Sequence, residues 1–171
     1  MARVRATHSA SARMISPDRS NDTLSGNKPA AQEIVRRLIS SRAPHTKRAD
    51  TAARVAAAAC DNLYRELSRW VGPDGCHALF TRALAETRPQ YPALEKIQLR
   101  PRSEPYIEGI ADSIMARGDP ETAEALESML IRLVELLGRL IGDDMAMKLI
   151  ERCLSASERG DTNSDSRREE A

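Results

Sequence analysis

The stretch "LGRLIGDDMAMKLIERCL", residues 137–154, decides the fold, because a related stretch, "LSRWVGPDGCHALFTRAL", occupies residues 67–84. Aligned without gaps, the two stretches share a Gly-x-Asp turn, two arginines and three leucines. Apolar matches between amphipathic helices arise often by chance, so the turn and the arginines carry the argument. The sequence therefore indicates one helical hairpin used twice.

Each copy of the turn follows a heptad seam, in which apolar residues recur at steps of four and three. The first seam is Ala56, Cys60, Leu63, Leu67 and Trp70, and the second is Leu126, Leu130, Leu133, Leu137 and Leu140. Each seam predicts a helix of ~20 residues, which is ~30 Å long. Because Trp70 and Leu140 close the two seams, we expect Trp70 to be the largest side chain of the core and Leu140 to be its counterpart.

The Gly-x-Asp sequence of the turn explains how one helix ends and the next begins. Gly72 or Gly142 ends the seam helix, and Asp74 or Asp144 then lies in the first turn of the next helix, where free N–H groups and the helix dipole favour a carboxylate. One hairpin cannot bury its own apolar face, whereas two hairpins can do so together. We therefore expect an all-α fold: a helical bundle built from two similar helix-Gly-x-Asp-helix hairpins, at about residues 50–84 and 120–154, related by a pseudo-twofold axis.

Residues between the hairpins predict a structured loop and an extra helix. Four prolines lie within residues 88–105, and their spacing excludes a long helix there. Residues 106–117 predict a helix that carries Ile107, Ile110, Ile114 and Met115 on one face. Asp119 is then expected to cap the second seam helix, with Pro120 at its first position.

The chain divides into four parts by composition. Residues 1–27 are expected to be a disordered basic tail, 28–43 a short amphipathic helix, 49–156 the helical bundle domain, and 157–171 a disordered C-terminal tail. Residues 1–48 carry ten Lys and Arg against three Asp and Glu, whereas residues 120–171 carry seven against twelve. This asymmetry indicates either a basic arm for an anionic partner or a solvated tail.

No set of residues in the sequence resembles a catalytic, cofactor or metal site. The three cysteines have no CxxC spacing, which argues against zinc and disulfides and favours a cytoplasmic protein with reduced thiols. Cys76 and His77 are neighbours in sequence and would point ~100° apart on a helix, so we do not expect a nucleophile and base. No apolar stretch is long enough for a membrane span. We therefore expect a protein that is not an enzyme and needs no cofactor.

Two groups of basic residues are candidates for nucleic-acid contact. The first is the set of Arg36, Arg37, Arg42, Lys47 and Arg48. The second lies in or beside the loop at 88–105 and comprises Arg88, Lys96, Arg100 and Arg102, with Tyr91 and Tyr106 nearby. A charge run is more often a solvated face, and the loop is better interpreted as a surface loop held by its tyrosines and prolines.

The leading hypothesis is a non-enzymatic helical module for protein–protein interaction or regulation, acting by self-association or by docking to a protein partner. The alternative is a nucleic-acid-binding protein that uses the basic N-terminal arm. A third hypothesis is an enzyme or small-ligand binder that uses a pocket covered by the loop at 88–105.

Overall fold

The structure is a computed structural model that describes residues 28–41 and 51–165. Its helices and strands, in chain order, are α1 (Lys28–Ser40), α2 (Ala52–Val71), α3 (Pro73–Thr87), β1 (Gln98–Leu99), β2 (Ile107–Glu108), α4 (Ile110–Arg117), α5 (Asp119–Ile141) and α6 (Asp143–Asp165). A short 3₁₀ helix, Pro92–Lys96, precedes β1. The all-α helical bundle predicted from the sequence is confirmed.

The two long seam helices, α2 and α5, form the centre of the bundle. They pack against each other, and each also contacts α3 and α6. Leu63 on α2 and Leu133 on α5 are both buried, as their seam positions predict. Helix α1 lies mainly against α5 through Ile34, Val35 and Leu38.

The two Gly-x-Asp corners have the same local geometry. Gly72 has φ 79° and ψ 154°, and Gly142 has φ 86° and ψ 145°, a region that is essentially restricted to glycine. In each corner the glycine carbonyl accepts a hydrogen bond at 3.0 Å from the N–H four residues on, Cys76 or Ala146. The pseudo-twofold axis itself remains a prediction from the sequence repeat.

Trp70 and Leu140 are not in the core, so this part of the sequence prediction is wrong. Trp70 is 58% exposed and Leu140 is 67% exposed. Each side chain lies in the last turn of its seam helix, which ends at Val71 or Ile141, so no further turn extends the packed seam beyond it. The largest fully buried side chains are Tyr106 and Phe80 instead.

The segment between the hairpins is more varied than the sequence predicts. Ile107 lies in a strand, because β1 and β2 pair antiparallel with Leu99 opposite Ile107. Helix α4 therefore begins at Ile110 and not at residue 106. Met115 is 81% exposed, against the prediction, because it lies about 200° around α4 from the buried Ser113.

Asp119 does not cap its own helix as predicted. Gly118 is the N-cap of α5 and repeats the corner conformation, with φ 90° and ψ 162°. The Asp119 carboxylate accepts hydrogen bonds from the backbone N–H groups of Ala52 and Ala53, at 3.1 and 3.0 Å, and so caps α2. Asp74 and Asp144 do lie in the first turns of α3 and α6, as expected.

Helix α6 continues to Asp165, past the point at which the apolar pattern ends in the sequence. The predicted tail at 1–27 lies outside the described residues, as do residues 166–171.

Candidate functional site

Three aromatic rings meet where α2, α3 and the turn before β2 come together. The rings of Tyr64 and Tyr106 are stacked, with centroids 3.6 Å apart and planes 6° apart. Phe80 on α3 meets both rings edge-on, at 5.9 and 5.3 Å. The Tyr106 hydroxyl is 3.1 Å from Nδ1 of His77, whereas the buried Tyr64 hydroxyl has no hydrogen-bond partner. The two stacked tyrosines therefore differ in their hydrogen bonding.

Asp61 fixes the start of β2 against α2. Its Oδ1 accepts hydrogen bonds from the backbone N–H groups of Tyr106 and Ile107, at 3.1 and 3.0 Å. Burial raises the pKa of the Asp61 carboxyl above its usual value, although the two backbone donors act in the opposite direction. The carboxylate thus holds Tyr106 in register with Tyr64, which lies one helical turn further along α2.

A cleft of about 520 Å³ opens between α2 and the turn that joins β1 to β2. We call it the tyrosine cleft. Its lining consists of Ala58, Asp61, Asn62, Tyr64, Arg65, Ser68, Pro73, Arg102, Ser103, Glu104, Pro105 and Tyr106. The volume lies within the range of small-molecule sites, and the lining combines apolar walls with a few polar groups. Sequence reasoning expected a pocket under the 88–105 loop but did not find Asp61 or Tyr64, because no spacing connects either residue to Tyr106.

A second concave surface contains the exposed Trp70. The groove, about 730 Å³, is lined by Trp70, Val71, Met145, Lys148, Leu149, Glu151, Arg152 and Ser155. We call it the tryptophan groove. Met145 is 58% exposed there, while Val71 and Leu149 are partly buried at its base. The Arg152 guanidinium lies over the indole of Trp70, 5.6 Å from the ring centroid, which is a cation–π contact.

A third surface is a network of charged groups between α3 and α5. Arg132 donates hydrogen bonds to Glu86 and, at 2.8 Å, to Glu135, while Arg82 also donates to Glu86 at 2.8 Å. The hydrogen bonds from Arg82 and Arg132 lower the pKa of the Glu86 carboxyl. Each charge in this network has a partner of opposite sign. The network therefore connects two helices and leaves few unpaired charged groups to bind a ligand.

Cys76 and His77 do not form a nucleophile and base. The Cys76 thiol is buried and faces the carbonyl oxygen of Tyr64 at 3.6 Å, while His77 contacts Tyr106. Burial raises the pKa of Cys76 to about 11 and that of Cys153 to about 12. Because the thiolate is the reactive form of cysteine, these thiols have low reactivity near neutral pH.

Two of the five basic residues predicted for nucleic-acid contact lie in the described part of the chain. Arg36 and Arg37 lie exposed on α1, and Arg36 pairs with Glu33 at 3.3 Å. Arg42, Lys47 and Arg48 lie outside the described residues. Nucleic-acid binding through this set therefore stays a prediction.

The three arginines of the basic loop make contacts within the protein. Arg88 donates to the carbonyl oxygens of Leu94 and Ile97, at 3.3 and 3.1 Å. Arg100 pairs with Glu108 at 2.9 Å, and Arg102 pairs with Asp74 at 3.4 Å. Tyr106 is buried among other rings and is not available for base stacking.

Within residues 28–41 and 51–165, no group of three or more His, Cys, Asp or Glu side chains is arranged to hold a metal ion. None of the helices described in this part of the chain is long and apolar enough to cross a membrane. No protein-family model, curated protein or solved structure matches the chain.

Proposed function

We propose that this chain is a helical protein–protein interaction module that self-associates through the tryptophan groove. The observation that carries the proposal is the exposure of Trp70 together with Met145, above the partly buried Val71 and Leu149. Contiguous exposed apolar surface on a soluble domain marks an interaction site, and tryptophan is the residue most enriched in interface hot spots.

The charges around the groove favour a second copy of the chain as the occupant. Lys148 and Arg152 carry positive charge, and Glu151 carries negative charge on the same helix. In an isologous dimer the same patch meets itself, so a rim of one sign would be repelled. A rim of both signs allows Glu151 of one copy to approach Lys148 or Arg152 of the other.

The test is the molar mass in solution, measured by light scattering across a wide range of protein concentration. We expect a dimer for the wild type and a monomer for Met145→Glu, because the new carboxylate would be buried in the apolar contact. The substitution is at an exposed position, so it should leave the unfolding transition of the monomer nearly unchanged.

Leu140→Glu is the matched control. Leu140 is also exposed and apolar and belongs to the same hairpin as Met145, but it does not line the groove. This variant should remain a dimer. A wild-type protein that is monomeric at every concentration, or a Leu140→Glu variant that dissociates as readily as Met145→Glu, would refute self-association through this groove.

A further inference from the structure

The tyrosine cleft has an apolar wall. Ala58, Pro73 and Pro105 line it together with the edges of the tyrosine pair. The Tyr64 hydroxyl is fully buried, so the tyrosine contributes its ring and not its hydroxyl to this wall.

The positive charges at the rim of the cleft are only loosely paired. Arg65 is 3.9 Å from the Glu66 carboxylate and 4.0 Å from the exposed Glu104 carboxylate. Arg102 is 3.4 Å from the exposed Asp74 carboxylate. Exposed ion pairs of this kind contribute little, so either exposed carboxylate is easily displaced. Arg65 also donates to the Asn62 side chain, but a guanidinium has five N–H donors, and these contacts leave some of them free.

The negative group inside the cleft is already committed. Oδ1 of the partly buried Asp61 carboxylate accepts both backbone N–H groups at the start of β2. Glu104, the other carboxylate of the lining, is among its most exposed side chains and is free to turn outward. A ligand that enters the cleft therefore meets an apolar wall and two guanidinium groups, beside a carboxylate whose Oδ1 is already hydrogen-bonded.

We propose that the tyrosine cleft binds a small molecule that has a compact apolar body and a single carboxylate or sulfonate group. The apolar body rests on Ala58, Pro105 and the tyrosine edges, and the acidic group binds Arg65 and Arg102. This site is separate from the tryptophan groove, and the proposal does not depend on self-association.

The test uses anilinonaphthalene sulfonate, a fluorescent probe with an apolar ring system and one sulfonate. We expect a single saturable site in the full chain, and displacement by naphthoate but not by the uncharged naphthalenemethanol. Arg102→Gln should weaken binding roughly tenfold or more, because a hydrogen bond to a charged group is lost. Arg36→Gln removes the same charge from exposed α1 and should bind the probe as the wild type does.

Two further variants distinguish binding in the tyrosine cleft from binding elsewhere on the protein. Arg65→Gln should also weaken probe binding, because Arg65 is the second guanidinium that binds the acidic group. Met145→Glu, in the tryptophan groove, should leave probe affinity unchanged. The proposal is overturned if the wild type does not bind the probe, if Arg102→Gln and Arg36→Gln behave alike, or if Met145→Glu abolishes binding.

Discussion

Asp119 lies in the first turn of α5, but its carboxylate accepts a hydrogen bond, at 3.0 Å, from the backbone N–H of Ala53 at the start of α2. A second bond, from Ala52, is 3.1 Å long. One side chain therefore stands at the positive ends of both central helices, where two dipoles favour its negative charge. This contact fixes the start of the first hairpin relative to the second.

Replacement of Asp119 by alanine should destabilise the protein by about 1 kcal/mol, the usual cost of losing a helix cap. Asp119→Asn keeps one acceptor oxygen and should cost less. Urea denaturation followed by circular dichroism measures both. Glu121→Ala, an exposed acid in the same turn of α5, is the control for charge alone and should change the free energy of unfolding only slightly.

The Asp119 carboxylate should make the stability of the protein sensitive to acid. Burial opposes ionisation of Asp119, but the nearby Thr51 side chain and the backbone N–H groups of Ala53 and Ala52 together outweigh it, so the pKa is lower than the usual 3.8. A carboxyl with a lowered folded-state pKa stabilises the protein above its unfolded-state pKa, and this contribution is lost as the pH falls through the folded-state pKa. Asp119→Asn should therefore lose less stability than the wild type between neutral pH and pH values below 3.8.

Substitution of glycine by alanine should lower the stability of the protein at a corner and raise it within a helix. Gly142→Ala meets no neighbouring atom but forces a side chain to a φ of +86°, and we expect a loss of about 1–2 kcal/mol. Gly75 lies in α3 with open space around its Cα, so Gly75→Ala should stabilise the protein by about 0.5 kcal/mol. Equal effects of the two substitutions on the urea midpoint would contradict this interpretation of the corner.

The bundle and its corners were accessible to sequence reasoning because they depend on local signals. Heptad steps, a Gly-x-Asp turn and a first-turn carboxylate all lie within one or two helical turns. The same reasoning placed Trp70 inside, because a heptad pattern does not show that the last position of the seam, at the end of α2, lies beyond the packed part of the bundle. The exposure of Trp70, which supports the proposed interaction surface, was visible only in the structure.

The tyrosine cleft could not be predicted from local signals in the sequence. Tyr64 and Tyr106 come together because Asp61 binds backbone N–H groups of residues far along the chain, and no periodicity reports such a contact. The strands β1 and β2 have two residues each, which is too short for an alternating pattern. Asp119 was assigned to its own helix for a similar reason: the sequence does not show that the start of α2 lies beside it.

Asp61 should be more important as a hydrogen-bond acceptor than as a charge. Asp61→Ala leaves the backbone N–H groups of Tyr106 and Ile107 unpaired, and we expect a loss of about 2 kcal/mol. Asp61→Asn keeps an acceptor oxygen and removes a carboxylate whose ionisation is opposed by burial, so its cost should be below about 1 kcal/mol. A greater loss for asparagine than for alanine in urea denaturation would show that the charge is the essential property.

Glu86 should make the contact between α3 and α5 sensitive to pH. Hydrogen bonds from Arg82 and then from Arg132 lower the pKa of its carboxyl below the usual 4.5, so ionised Glu86 favours the folded state. Its contribution is fully present above that usual value and disappears as the pH falls through the lower folded-state pKa. Glu86→Gln should consequently be less stable than the wild type at neutral pH but should lose less stability on acidification.

The measurement for Glu86 is the urea midpoint of each protein across the acidic range. Glu124→Gln provides the same change of charge at an exposed position on α5, the helix that carries Arg132, and its midpoint should follow that of the wild type at every pH. High salt should reduce the difference between Glu86→Gln and the wild type, because the partners are partly exposed and screened. If Glu86→Gln and Glu124→Gln have the same pH dependence, the hydrogen bonds to Arg82 and Arg132 do not stabilise the contact between α3 and α5.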